Sequence, residues 1–153
     1  MSLDDLDRQI LKALMKDGRV KWSALADAFG VSAPAIADRV RRLERSSLLT
    51  GYTARLDPVA FGFDLCAFVT VTLTHPQHRE AFLTYVQAQG LIQSCHHIVG
   101  DGDYLLKVRC CSTAELEQLL SDEIKSLPGV QQTRTTISLR TVKETVDLPI
   151  DVD

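Results

Sequence analysis

Little in this 153-residue sequence commits it to a membrane, an oxidising compartment or a common enzyme class. No apolar run reaches the roughly 18–20 residues that a bilayer span requires. The longest such stretch, Leu65 to Leu73, is broken by threonines. No segment has the basic, apolar and small-residue order of a signal peptide, so a cytoplasmic home is expected. The cysteines are Cys66, Cys95, Cys110 and Cys111, and no two of them form a CxxC pair. Cys110 and Cys111 are adjacent in an expected strand and would point to opposite faces. Reduced thiols used for packing are the expectation. The sequence shows no Ser/His/Asp arrangement, P-loop or GxGxxG, so hydrolase, NTPase and dehydrogenase activities have no support and no residue is assigned to catalysis. Internal repeats and low-complexity tracts are also missing.

What is present is ordinary in bulk and uneven in charge. Hydrophobic residues make up 45% and charged residues 24%, as in a globular protein. The net charge of −3 divides into +3 for residues 1–55 (ten Lys/Arg, seven Asp/Glu) and −6 for residues 56–153 (seven against thirteen). A basic end joined to an acidic one points to nucleic acid at the first end only.

The basic end reads as three helices. Leu6, Ile10, Leu11 and Leu14 mark one face of a first helix, which Asp4 can cap and Gly18 can end, with Asp7 in the first turn where the macrodipole favours an acid. A second helix spans about Lys21 to Phe29, and Gly30-Val31 makes a tight turn. Ser32 then caps a third helix, with Pro34 tolerated in its first turn. Ile36, Val40 and Leu43 turn inward, leaving Ala35, Asp38, Arg41, Arg42 and Arg45 opposite and Arg39 on the flank. This is a helix-turn-helix, whose third helix enters the major groove. Ser32, Ala33, Ala35 and Asp38 sit where base edges would be read. Arg41, Arg42 and Arg45 are the phosphate or guanine partners, and Arg39 is a candidate either for DNA or for an acid within the fold. The segment 49–56 alternates like a short wing or connecting strand.

After Asp57-Pro58 the pattern changes. Alternation over Leu65–Thr74, a helix over Gln77–Gln89, strands Ile92–Val99 and Tyr104–Cys111, a helix opened by Ser112 and Glu115 with Leu116, Leu119, Leu120 and Ile124 inward, and a last strand Val130–Lys143 give the order βαββαβ. The fold class is therefore α+β: a winged-type helix-turn-helix over residues 1–50, a connecting strand and linker over 51–64, and a ferredoxin-like βαββαβ sandwich over 65–153. Each half buries a small core, so self-association is an expected source of stability. Cys95-His96-His97 is the one constellation that invites a metal. On a strand, however, only Cys95 and His97 share a face, short of the four ligands of a structural zinc site, and no metal is assigned.

LDDLDRQIL (3–11), KDGR (16–19), GVS (30–32), DRVRRLE (38–44), GYTARLDP (51–58), HIVGDGDYLLKVR (97–109) and LPGVQQTRT (127–135) together resemble the Lrp/AsnC, or feast/famine, family of transcription regulators. The resemblance runs from Leu3 to about Thr145. It implies a sequence-specific, nucleoid-associated regulator of double-stranded DNA, assembled from homodimers into an octamer and needing no cofactor. It also implies an amino-acid effector enclosed by the loop Gly100, Asp101, Gly102, Asp103 and Tyr104, with Thr136 and Ser138 as further candidates. No arginine is evidently placed to hold the effector's carboxylate, which leaves that role to backbone N–H groups. Two alternatives compete: a DNA-binding oligomer without an amino-acid effector, and an enzyme similar to the sirohaem decarboxylases, which resemble the same two-domain layout.

Overall fold

The computed structural model describes residues 3–150 and divides them into two compact units, residues 3–55 with 144–150, and Leu56–Lys143. The expected boundaries 1–50 and 65–153 differ at both ends of the second unit, and their outermost residues, 1–2 and 151–153, lie outside the described residues. Residues 144–150 join the first unit because Ile150 packs its apolar side chain against the helix cluster. Arg55 Nη2 also donates to the Glu144 carbonyl at 3.0 Å.

Three helices build the first unit: α1 (Asp5–Lys16), α2 (Trp22–Phe29) and α3 (Ala33–Arg45). Asp4 caps α1 in a capping box with Asp7, and Ser32 caps α3 by accepting from the Ala35 N–H. The α2 cap position is Lys21, whose side chain has only donors and makes no cap bond. Gly30 takes the left-handed conformation (φ 67°) that the turn into α3 requires. Ile10, Leu11, Leu14, Leu25, Ile36, Val40 and Leu43 close the core. The expected wing over 49–56 is not a strand. No segment among the described residues pairs with it, and a strand exists only through its partner's hydrogen bonds.

The second unit contains β1 (Leu65–Leu73), α4 (Arg79–Ala88), β2 (Ile92–His97), β3 (Tyr104–Cys110), α5 (Thr113–Gln118) and β4 (Val130–Ser138). The strands form one antiparallel sheet in the order β2-β3-β1-β4, the ferredoxin-like arrangement expected from βαββαβ. Ala67, Val69, Val71, Leu106 and Val108 meet Phe82, Leu116, Leu119 and Ile124 on the helix-covered face. Beyond α5 the chain widens into a π-helical segment over Leu119–Ile124. Leu119 and Ile124 are buried there and Leu120 packs half-buried against the same core, so the residues expected inward do turn inward although the helix is not α-helical throughout. The last strand stops at Ser138 rather than Lys143, since its neighbour β1 begins at Leu65 and offers nothing further to pair with. Cys66 and Cys110 are buried free thiols, and burial pushes the Cys110 thiol up to about 11.

At the first helix cap, Arg39 donates to the Asp4 carboxylate and holds its carboxyl below the usual aspartate range. A depressed folded-state value adds stability that is fully present above the unfolded value near about 4 and is lost as pH falls through the folded one. Urea midpoints of the wild type and Asp4→Asn should therefore differ at pH 6 and converge towards pH 3. A gap that stays constant across that range would show that the Arg39 pair contributes nothing through ionisation.

Candidate DNA interface and effector site

The third helix was expected to present Arg41, Arg42 and Arg45 outward with Arg39 on the flank, and the structure divides the four by their partners. Arg41, Arg42 and Arg45 are all exposed. Arg41 holds only the solvent-facing Asp38, at 3.0 Å, a pair worth little against water. Arg39 and Arg42, in contrast, turn towards the start of α1. Arg42 Nη2 donates to both oxygens of Asp7, at 2.8 and 2.7 Å, and Arg39 Nη1 reaches the same carboxylate at 2.8 Å. Asp7 is the one fully buried charged residue among those described. Arg42, still exposed, therefore has an intramolecular partner as well as a solvent-facing side, and Arg39 takes the intramolecular role.

At the N-terminal end of α3, the Ser32 hydroxyl oxygen accepts from the Ala35 N–H at 3.3 Å and Ala33 packs against the helix core. Ala35 is half-buried, and Asp38 is exposed. The reading of the sequence missed Asp7 as the anchor of this surface. It does carry a signal: residues 7, 10, 11 and 14 fall on one helical stripe, so a carboxylate stands in the middle of an apolar face.

The loop between β2 and β3 is fastened to β1. The Asp103 N–H donates to the Val71 carbonyl at 2.9 Å, and the Leu73 N–H donates to the Asp103 carboxylate at 2.7 Å. Asp103 is thus a structural rivet as well as an acid. Gly102 lies against β1 so closely that an added Cβ would stand 2.4 Å from Thr70 Cγ2 and 3.3 Å from the Val71 carbonyl oxygen. The Tyr104 ring leaves the loop altogether. It is 3% exposed, between Phe82 (centroids 4.9 Å) and His97 (5.0 Å).

Asp101 remains exposed and meets Arg134 of β4 at 3.3 Å. An arginine therefore does stand beside the loop, contrary to the expectation that none is placed there. The register explains the meeting. Thr70 faces Arg134, Phe68 faces Thr136 and Cys66 faces Ser138, so these side chains share the helix-free face of the sheet. At roughly 3.3 Å per residue, Thr136 is about 7 Å along the strand from Arg134 and Ser138 about 13 Å. The structure brings Asp101, Gly102, Thr70, Thr72 and Arg134 together, with Thr136 at the margin and Ser138 outside. No sequence pattern links positions so far apart, so Thr70 and Arg134 were not assigned to the site.

Cys95 and His97 pair with Leu106 and Tyr104 on the core side of the sheet, whereas His96 pairs with Leu105 on the other side. Among the described residues no group of three His, Cys, Asp or Glu is placed to hold a metal, and no helix is long and apolar enough to cross a membrane.

Comparison with known proteins agrees with both units. The AsnC-type helix-turn-helix domain matches residues 3–44, and the Lrp/AsnC ligand binding domain matches residues 66–148. The leucine-responsive regulatory protein of Escherichia coli K12 is 42% identical over 97% of this chain and 92% of its own. A transcriptional regulator of Neisseria meningitidis, solved in complex with L-methionine, superposes with a TM-score of 0.93 at 28% identity, over 97% of both chains. The feast or famine regulatory protein of M. tuberculosis, also solved with L-methionine, gives 0.88 at 37% identity, over 96% of this chain and 99% of that one. With a helix-turn-helix at one end and an effector-type sandwich at the other, this chain belongs to the Lrp/AsnC family and is a DNA-binding transcription regulator with a ligand-binding domain.

Proposed function

We propose that this regulator responds to an amino acid held at the Gly100–Tyr104 loop, and that binding there alters its affinity for DNA without any chemical reaction. The observation that carries the reading is the Asp101–Arg134 pair beside Gly102. An amino acid presents one ammonium and one carboxylate, and this site offers one carboxylate and one guanidinium on an exposed rim. The two neighbours solved with L-methionine supply the ligand class. On the DNA side, Arg41 and Arg45 are the phosphate contacts, with Ser32, Ala35 and Asp38 nearest the bases.

The working unit is a homodimer or a higher assembly of dimers. A single helix-turn-helix has little contact area, and symmetric half-sites need two. Support comes from apolar side chains that one chain leaves uncovered, Phe68 on the helix-free face and Leu56, Leu139 and Val142 outside the helices and strands. Such a protein works where the chromosome is, in the cytoplasm and on the nucleoid. Effector and DNA then bias the same equilibrium, each altering the other's affinity by the same factor.

The test is a thermal-shift panel of the twenty amino acids on the wild type, Asp101→Asn and Arg134→Ala. A ligand at a hundredfold excess over its Kd adds about 2.7 kcal/mol to the native state. A selective rise of several degrees, lost in both variants, is expected. No rise with any amino acid, or a rise that persists in both variants, would remove the effector from this loop. Asp103→Ala is a poor probe, because its carboxylate already holds the Leu73 N–H.

A further inference from the structure

The cluster at the start of α1 contains more than a fold requires. Asp7 is wholly buried, yet the arginine it grips is not: the Arg42 side chain is 48% exposed, against 28% for Arg39. Only Nη2 of Arg42 is taken, by both oxygens of Asp7, so the donors of Nη1 and Nε have no partner among the described residues. Arg39 is held differently, its Nη1 shared between Asp4 and Asp7.

We propose that Asp7 is a positioning residue for DNA binding, fixing one edge of the Arg42 guanidinium so that the other edge meets a phosphate in a pre-set geometry. This rests on the reading of α3 as the DNA-facing helix.

Two effects of opposite sign act on such a pair. Asp7 offsets positive charge, which weakens attraction to DNA. It also removes the rotamer freedom that Arg42 would otherwise lose on binding, a gain of about two- to tenfold in affinity per long side chain. Two carboxylates against two guanidiniums leave the cluster neutral, so its contribution to long-range attraction is small and the geometric effect decides. Arginine suits the task because its planar fork can grip an acid with one edge and a phosphate with the other, which a lysine ammonium cannot.

The experiment is a salt titration of the full chain on a fluorescein-labelled random-sequence duplex. Arg42→Ala should lower the slope of log K against log salt by about 1, as loss of one phosphate contact does. Asp7→Asn should weaken binding about two- to tenfold with no fall in slope. Asp7→Asn added to Arg42→Ala should bring no further loss, and Asp4→Asn, whose carboxylate bonds Arg39 and the Asp7 N–H but not Arg42, should leave affinity unchanged. If Asp7→Asn lowers helicity, Arg42→Lys carries the test, with wild-type slope and reduced affinity.

Tighter binding by Asp7→Asn would overturn the proposal, since Asp7 would then act only by neutralising charge. A wild-type affinity for Arg42→Lys would overturn it as well. A wild-type slope for Arg42→Ala while Arg45→Ala lowers it would confine Arg42 to the fold. If neither arginine moves the slope, the proposal falls together with the reading of α3. A slope lowered by Arg42→Ala but not by Arg45→Ala, together with weaker binding by Asp7→Asn, supports the positioning role and corrects the wider interface.

Discussion

Replacing Arg39 and Arg42 together with methionine is expected to destabilise the N-terminal unit by about 3–5 kcal/mol, the range for stripping partners from a buried charge. The reason is an asymmetry of burial. Asp7 is fully enclosed, and beside the long capping bond from the Asp4 N–H its carboxylate accepts from those two guanidiniums, whereas the arginines are partly exposed and can regain water. Asp7→Asn should therefore cost less, about 1.5–3 kcal/mol for lost bonds to charged groups, because the side chain left behind carries no charge. Urea denaturation followed by circular dichroism would give both numbers. Equal losses in the two variants would mean that the carboxylate is not desolvated as its burial implies. The ordering also separates structure from function at this cluster, since stability responds most to the arginines and DNA affinity is proposed to respond to how Asp7 aims one of them.

Gly102→Val is expected to cost the second unit about 2–3 kcal/mol and to abolish any amino-acid-induced thermal shift. A Cβ at this position meets Thr70 Cγ2 at 2.4 Å, well inside van der Waals contact, and a β-branched side chain cannot turn away from the strand beneath it. Thr70 can rotate, but the Val71 carbonyl, 3.3 Å from the same point, belongs to the backbone and cannot. The loop must lift, and in lifting it gives up the Asp103 N–H bond to Val71 and the Leu73 N–H bond to the Asp103 carboxylate, each worth about 1 kcal/mol or somewhat more. Asp101 then leaves Arg134. Thermal melts with and without the effector would read both consequences. A variant that keeps wild-type stability and response would show that β1 yields to the loop, and that closeness at Gly102 has no part in the site.

Much of this molecule could be read from one dimension. Helix periods, the caps at Asp4 and Ser32, the turn glycine at position 30 and the alternation of β1 are local properties. They depend on residues a few positions apart, so the three helices and the βαββαβ order follow from the chain itself. The family was legible for the same reason, because its motifs are short blocks in order. The segment 49–56 and the expected tail of β4 show where local alternation is insufficient, since a strand needs a partner and neither finds one among the described residues.

What only the tertiary structure decided are the pairings across long separations. The sequence placed Arg39 and Arg42 on a basic helix, but whether they face water or Asp7 depends on how α1 crosses α3, some thirty residues apart. The loop at Gly100–Asp103 was visible as a glycine-rich turn, but its arginine was not, because Arg134 reaches it only through the β1–β4 register. Charge and periodicity are written along the chain. Which charge meets which is settled by packing, where burial makes an unpaired ion too costly to keep.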